Sequence, residues 1–202
     1  MDNLKSILHY PYLVVDGLDG SGKSYFVEKF SSMIKCKTIK PTDYKMILQG
    51  GNEWWKEKQT VIKHFESCLE INCLEKKDAE KYCSQNTVIQ ERGLITTYMI
   101  HSYFQKKSAG YFMSRILETG IIYDGVILLT INNIERKKRI YERNKRTMID
   151  EFSLAYDWEN YWYESVELFQ KNELINKIAI IESGKIENTV EQYQFLSTQF
   201  DI

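Results

Sequence analysis

With 202 residues the chain is long enough for one α/β domain with a well-buried core and short for two, so residues 1–202 are read as a single domain. Hydrophobic residues make up 43% and charged residues 27%; the formal net charge of −1, from 27 basic and 28 acidic side chains, argues against bulk affinity for nucleic acid or acidic membranes. The four cysteines (Cys36, Cys68, Cys73, Cys83) form no CxxC pair, so neither a zinc site nor a disulfide frame is expected.

Tyr12-Leu13-Val14-Val15 reads as a buried strand; the apolar run around it stops at Asp16 without the small residues of a signal-peptide cleavage site. Ser24 to Ile34 reads as a helix, and Cys36-Lys37-Thr38-Ile39 as a weaker strand. From Trp54 onward, Val61, Ile62, Phe65, Cys68 and Leu69 recur at helical spacing. Thr87-Val88-Ile89 is a strand, Thr96 to Lys107 a helix, and Val126 to Ile131 a strand. Glu135 to Arg143 and the aromatic-rich Trp158 to Phe169 are helical, Ile178 to Ile181 is a strand, and a last helix follows Gly184 from near Glu187. Continuous rather than alternating apolarity implies strands covered on both faces, hence a parallel sheet in a doubly wound α/β fold. No apolar stretch approaches the ~20 residues that span a bilayer. No membrane association and a reduced cytoplasmic setting are the expectation.

Scarce residues are unevenly spent. Three of the ten glycines lie within Gly17-Leu18-Asp19-Gly20-Ser21-Gly22-Lys23-Ser24, which satisfies G-x-x-x-x-G-K-[ST]. The pattern follows an apolar strand and opens a helix, the context that makes it specific. Glycines let successive N–H groups turn inward toward phosphate oxygens, and the helix N-terminus adds its positive end. Lys23 can reach β- and γ-phosphates, and the Ser24 hydroxyl can ligate Mg²⁺. A nucleoside triphosphate is therefore the expected ligand. GTPases would add a DxxG segment and an NKxD base-reading motif; Asn144-Lys145-Arg146-Thr147 and Asn176-Lys177-Ile178-Ala179 both lack the aspartate.

The strand Thr87 to Ile89 runs into Gln90-Glu91-Arg92-Gly93. In a parallel sheet its end falls beside the phosphate loop, where open α/β sheets bind ligands. There Glu91 can hold Mg²⁺ through water and Arg92 can grip phosphate with its planar fork. Only six of the 27 basic residues are arginine, and four of those, Arg136, Arg139, Arg143 and Arg146, are spaced 3, 4 and 3 apart along one helical face and its continuation. Lysine would serve a solvated basic face equally well and outnumbers arginine elsewhere. The cluster is therefore read as a phosphate clamp, acting through Arg143 and Arg146.

In this order the parts resemble the thymidylate kinase family and the related deoxynucleoside kinases along essentially the whole chain. The loop Gly17 to Ser24, with its internal Asp19, resembles that family's phosphate loop, and Glu91-Arg92 with Thr96 resembles its Asp/Glu-Arg dipeptide and following Ser/Thr. Tyr123-Asp124-Gly125-Val126-Ile127-Leu128-Leu129 is similar to the strand that leads to the lid, and Arg139 to Arg146 to the arginine-bearing lid, here about 136–151. The resemblance implies a P-loop kinase fold: a five-stranded parallel sheet with helices on both faces. It also implies use of ATP with Mg²⁺, a small-molecule acceptor and a homodimer. Gly17, Leu18, Asp19, Gly20, Ser21, Gly22, Lys23, Ser24 and Arg139 would bind the nucleotide. Lys23, Arg143 and Arg146 would act on its phosphates, Arg92 on an acceptor phosphate, and Asp19 near the acceptor sugar.

Three positions depart from the pattern. Lys40-Pro41 stands where both relatives carry Glu-Pro, and a lysine protonated at neutral pH cannot be the general base of a hydroxyl acceptor. Asp43 is the substitute within reach in sequence. Gly93 replaces an aromatic residue or serine, and Met99-Ile100-His101 replaces Ala-Tyr-Gln, so base specificity does not carry over. Trp54, Trp55, Phe65, Tyr98 and Tyr103 are candidates for a base-stacking wall or for core packing; His101 is read as a partly buried polar cap. Tyr156, Trp158, Tyr161 and Trp162 are expected to pack their helix onto the sheet. The leading expectation is a kinase for a nucleoside monophosphate. A kinase for a hydroxyl acceptor and a non-catalytic nucleotide-binding regulator are its rivals.

Overall fold

Strands apolar on both sides need a layer of helices on each side, and the computed structural model supplies them. It describes residues 11–34, 36–40, 54–83, 85–143, 153–154, 158–183 and 189–200. The strands β1 (Tyr12–Gly17), β2 (Cys36–Ile39), β3 (Thr87–Glu91), β4 (Gly125–Thr130) and β5 (Ile178–Glu182) form one parallel sheet in the order β2-β3-β1-β4-β5. The described α-helices are α1 (Lys23–Met33), α2 (Lys58–Cys83), α3 (Leu94–Phe104), α4 (Ala109–Glu118), α5 (Asn133–Tyr141), α6 (Glu159–Lys171) and α7 (Thr189–Phe200), with short 3₁₀ turns at Trp54–Lys56 and Lys106–Ser108.

Successive residues of a strand point to opposite faces, so β1 feeds two cores at once. Tyr12 and Val14 join Val88, Val126 and Leu128 beneath α2, α3, α4 and α6, through Phe65, Leu94, Tyr98, Phe112 and Trp162. Leu13 and Val15 join Ile89, Ile127 and Leu129 on the other side, beneath Phe26 and Phe30 of α1 and Leu196 and Phe200 of α7. Each fully buried side chain of this kind contributes roughly 1.5–3 kcal/mol. Among the described residues no helix is long and apolar enough to cross a membrane.

All five expected strands are present, and the expected helices start or stop within a few residues of their reading. The helix expected over Thr96 to Lys107 begins earlier, at Leu94, and ends at Phe104. The one expected over Glu135 to Arg143 is Asn133–Tyr141, so Arg143 lies just beyond its end. The sequence reading omitted α4. Its signal is short, Phe112, Met113 and Ile116 forming a single buried stripe in ten residues. Phe112 is nevertheless fully buried, its ring centroid 4.5 Å from that of Phe65.

Strand register gathers the functional ends of the sheet. Val15 pairs with Glu91 and Gly17 with Leu129, so the C-terminal ends of β1, β3 and β4 open on the same edge. Phe112→Ala should lower the free energy of urea unfolding by about 3–5 kcal/mol. A loss below about 1 kcal/mol would show that α4 is not part of the main core.

Candidate active site

Between β1 and α1 the chain turns tightly through Leu18 to Gly22. Gly20 has φ +87°, and a Cβ there would lie 3.0 Å from both Cγ and the carbonyl oxygen of Arg136, so only glycine lets α5 rest on the loop. Gly22, also at φ +87°, is the N-cap of α1 and offers no side-chain cap; no acid occupies the helix's first turn. The unsatisfied N–H groups and the positive end of α1 are thus left to an anion.

Lys23 is almost entirely buried, and its ammonium donates to the carbonyl oxygens of Gly17 (2.6 Å) and Leu18 (2.9 Å). Burial, followed by the nearby Arg92 charge, pushes its pKa down to about 8 against the pull of Asp19, Asp16 and Glu91. Arg92 has a left-handed backbone (φ 64°), and its N–H donates to the carbonyl of Val15 at 2.9 Å. Its guanidinium is ion-paired with Asp19. Burial alone would raise the Asp19 carboxyl; Arg92 and then Lys23 reverse this and hold it at about 2. Ser24 donates its hydroxyl to Glu91 Oε1 at 2.7 Å. A hydroxyl and a carboxylate side by side at a phosphate loop form an oxygen donor set suited to a hard cation, so these residues fit Mg²⁺.

Two cavities meet at the Asp19–Arg92 pair, which lines both. One is a cleft of about 370 Å³ bounded by Gly22, Lys23, Ser24, Glu91 and Arg143. The other, about 40 Å³, has walls of Leu18, Thr96, Met99, Ile100 and Trp158. The first has room for a polyphosphate; the second, as it stands, has room for little more than water.

The arginine cluster divides. Arg136, expected on the phosphate-facing side, is 3% exposed and acts within the fold. Its guanidinium donates to Asn133 Oδ1, Ser153 Oγ (3.0 Å) and the Asp19 carbonyl (3.4 Å), pinning α5 to the loop and to Ser153. Arg139 is half-exposed, bonded to Glu135 Oε1 at 3.0 Å, with Nη1 3.8 Å from where a Gly22 Cβ would stand. Arg143 lines the larger cleft. Arg146 lies outside the described residues, as do Pro41, Asp43 and Tyr156. Lys40 is exposed, one residue beyond the Ile39–Gln90 pair and thus level with Glu91.

Of the aromatic wall, Trp55, Phe65, Tyr98 and Tyr103 resolve into packing, while the Trp54 side chain lies outside the described residues. Phe65 and Tyr98 are core residues, Trp55 lies against Phe104, and Tyr103 packs on Trp158 with centroids 4.6 Å apart. Trp158, expected only to pack its helix, also walls the smaller cavity. His101 is 2% exposed, deeper than a partly buried cap, and contacts His64. Burial, with His64 beside it, lowers its pKa to about 3, and burial lowers that of His64 to about 4. Both rings are neutral at physiological pH.

Two features escaped the sequence reading. Asp16 is completely buried at the end of β1; its Oδ1 accepts from Thr96 Oγ1 (2.6 Å) and the Gly17 N–H (2.7 Å). Burial raises its pKa, opposed by Thr96 and Lys23. An acid directly after an apolar strand and before the glycine loop was the available signal. The second is the partner of Gly93. The Tyr123 hydroxyl accepts from the Leu94 N–H at 3.1 Å, and a Cβ on Gly93 would stand 2.7 Å from that oxygen. Tyr123 thus fills the space that the family's larger residue would need.

The sheet order, the loop and the cation-lined cleft together define a P-loop kinase fold. No known family profile matches the sequence, and no curated protein does. Solved structures do. A thymidylate kinase from Candida albicans superposes with a TM-score of 0.65 at 16% identity, covering 94% of this chain and 92% of that one. A deoxyadenosine kinase from M. mycoides with bound dATP gives 0.63 at 17%, covering 95% and 100%. The same enzyme with dCMP and dCDP gives 0.64 at 16%, covering 94% and 98%.

The depressed pKa of Lys23 has a measurable sign. Above about pH 8 the free protein loses the ammonium that meets phosphate, so ATP affinity should fall toward tenfold per pH unit between pH 8 and 9.5. Calorimetric titration checks this, with Lys23→Arg expected to flatten the profile. An unchanged wild-type affinity up to pH 9.5 would contradict the assigned environment of Lys23.

Proposed function

We propose that the chain is an ATP- and Mg²⁺-dependent kinase that transfers the γ-phosphate to a nucleoside monophosphate, with a deoxynucleotide as the acceptor of first choice. The observation that carries this reading is the placing of two cations around Asp19: the buried Lys23 on the donor cleft, and the partly buried Arg92 between that cleft and the smaller cavity. A donor polyphosphate and an acceptor phosphate each meet a positive charge, with the reacting oxygens brought together between them.

The protein's part is alignment and charge neutralisation, because phosphoryl transfer demands little covalent chemistry of it. Lys23 and the N-terminus of α1 hold the donor phosphates, and Arg92 orients the acceptor phosphate. Arg143 and Arg146 would cover the transferring group, and Arg139, near Gly22, would bind the nucleotide. Ser24 and, through water, Glu91 would hold Mg²⁺, which when bound offsets charge on the phosphate oxygens. An acceptor larger than the smaller cavity must displace part of its wall, which includes Ser153, itself bonded to Arg136 of α5. Acceptor binding and the position of α5 would thereby be linked through Ser153 and Arg136.

A hydroxyl acceptor is the second reading, favoured by the deoxyadenosine kinase likeness. It requires a general base; Glu91 is assigned to Mg²⁺ in this reading, and the two aspartates of the site are poor bases. Asp19, held at about 2, is too weak a base, and Asp16 is buried and already bonded to Thr96. A phosphate acceptor is already an anion and needs no base, and Lys40 level with Glu91 would attract it.

An ADP-release assay over nucleosides, monophosphates and deoxymonophosphates tests the reading. Turnover with monophosphates is expected. Turnover with nucleosides alone would transfer the assignment to the hydroxyl acceptor, and ATP binding without acceptor-dependent turnover would make the chain a regulator. Lys23→Ala should cost about 10²–10³-fold in kcat, as loss of a preorganised donor does. Arg143→Lys with Arg146→Lys should cost on the order of 10³-fold if these arginines neutralise the transferring phosphoryl group. Full activity in both variants would overturn the site.

A further inference from the structure

Away from the phosphate loop, beneath the layer formed by α2, α3 and α4, lies a cluster with no part in phosphoryl transfer. His64 and Cys68 stand one turn apart on the inward face of α2, and His101 reaches them from α3. One ligand atom from each falls within 4.8 Å of the other two. His64 Nδ1 is 2.7 Å from His101 Nε2 and 3.8 Å from Cys68 Sγ. Relative exposures of 9%, 0% and 2% put all three side chains in the core, with the rings of Phe65 and Phe112 against His101.

Hydrogen positions follow from the partners. His101 Nδ1 lies 2.5 Å from the Thr97 carbonyl oxygen, which only accepts, so Nδ1 carries the proton and Nε2 presents a lone pair. This outer-shell carbonyl is the arrangement that orients metal-bound histidines. His64 must then donate from Nδ1 toward His101 Nε2, with the Cys68 sulfur close to the same nitrogen. A single proton thus occupies the point where three donor atoms converge.

We propose that His64, Cys68 and His101 form a buried binding site for one soft monovalent cation of the copper(I) class. Thiolate sulfur and imidazole nitrogen are the ligands that such ions select. Charge decides the valence: two neutral imidazoles and one thiolate cancel one positive charge, whereas a divalent ion would leave an excess charge in a dry core. Binding releases the Cys68 thiol proton to water and moves the His64 ring proton from Nδ1 to Nε2, with no change of oxidation state. Metal–nitrogen bonds of ~2.0 Å in a planar site set the two nitrogens about 3.5 Å apart, so the rings must part by about 0.8 Å. Among the described residues no fourth His, Cys, Asp or Glu joins the group, as four-coordinate zinc would prefer. The sequence reading weighed the cysteine spacings alone and did not identify this group. Spacing concealed it, since the third ligand comes from another helix.

The test needs no nucleotide, so it stands or falls apart from the kinase reading. The full chain carrying Cys36→Ser and Cys73→Ser, which removes the two partly exposed thiols, is titrated anaerobically with copper(I) against bicinchoninate. One equivalent is expected, with affinity lowered at least tenfold by Cys68→Ser and by His101→Gln. X-ray absorption of the copper-loaded wild-type chain, at one equivalent, should report two nitrogen neighbours and one sulfur. That measurement decides the matter even if a variant does not fold. No binding, an all-sulfur shell, or undiminished binding in a folded Cys68→Ser protein would overturn the proposal. Tight one-equivalent binding of zinc alone to the same chain would overturn its monovalent character.

Discussion

Lys23, Arg92 and Arg136 crowd around the turn that joins β1 to α1: Asp19 pairs with Arg92, while backbone carbonyls and the Asn133 and Ser153 side chains accept from the other two. The arrangement is a consequence of strand register: a parallel sheet with β1 between β3 and β4 puts Asp16, the glycine loop and Glu91-Arg92 on one edge. Burial penalises every one of these charges, as the lowered Lys23 and the raised Asp16 both record. The Asp19–Arg92 pair is where attraction prevails, leaving the acid at about 2. It also compensates a local cost, because a left-handed arginine is worth about 1–2 kcal/mol of backbone strain. The backbone bond from Arg92 to Val15 fixes the direction in which that strain aims the side chain.

Neighbouring elements take their positions from this centre. Gly20 must lack a Cβ because α5 rests on it, and α5 rests there because Arg136 reaches across to the Asp19 carbonyl and to Ser153. Asp16 joins the first residue of the glycine loop to Thr96 of α3 through the two hydrogen bonds of a single oxygen. The helix that walls the smaller cavity and the loop that walls the larger one are thus held by the same buried acid.

Much of this was legible in the amino-acid order. Continuous apolar runs announced strands covered on both faces, and the glycine-lysine-serine spacing, set between a strand and a helix, announced the phosphate loop. What the order concealed depends on where side chains end up. Arg136 and Arg143 are seven residues apart and share a nominal helical face, yet one is a buried pin and the other follows the helix end. Periodicity distinguishes faces, not which arginine finds a buried acceptor. In the same way α4 offers only one apolar stripe, and its place was set by Phe65 rather than by its own pattern. Phe65 and Tyr98 have the composition of a stacking wall and the burial of a core.

The departures from the thymidylate kinase pattern have unequal physical weight. Gly93 is compensated: the Tyr123 hydroxyl fills the space above it and caps the first N–H of α3, so the helix start is preserved with different atoms. Lys40 has no such replacement, since it reverses the charge of the position it occupies. Level with Glu91, an exposed cation adds positive charge at the same end of the sheet as Lys23, Arg92 and Arg143. A neutral hydroxyl gains little from that field, while a phosphate gains from it at every distance shorter than the ~8–10 Å over which salt screens. The one position where the chain breaks most sharply with its resemblance therefore bears on the proposed choice between a phosphate and a hydroxyl acceptor rather than on the fold.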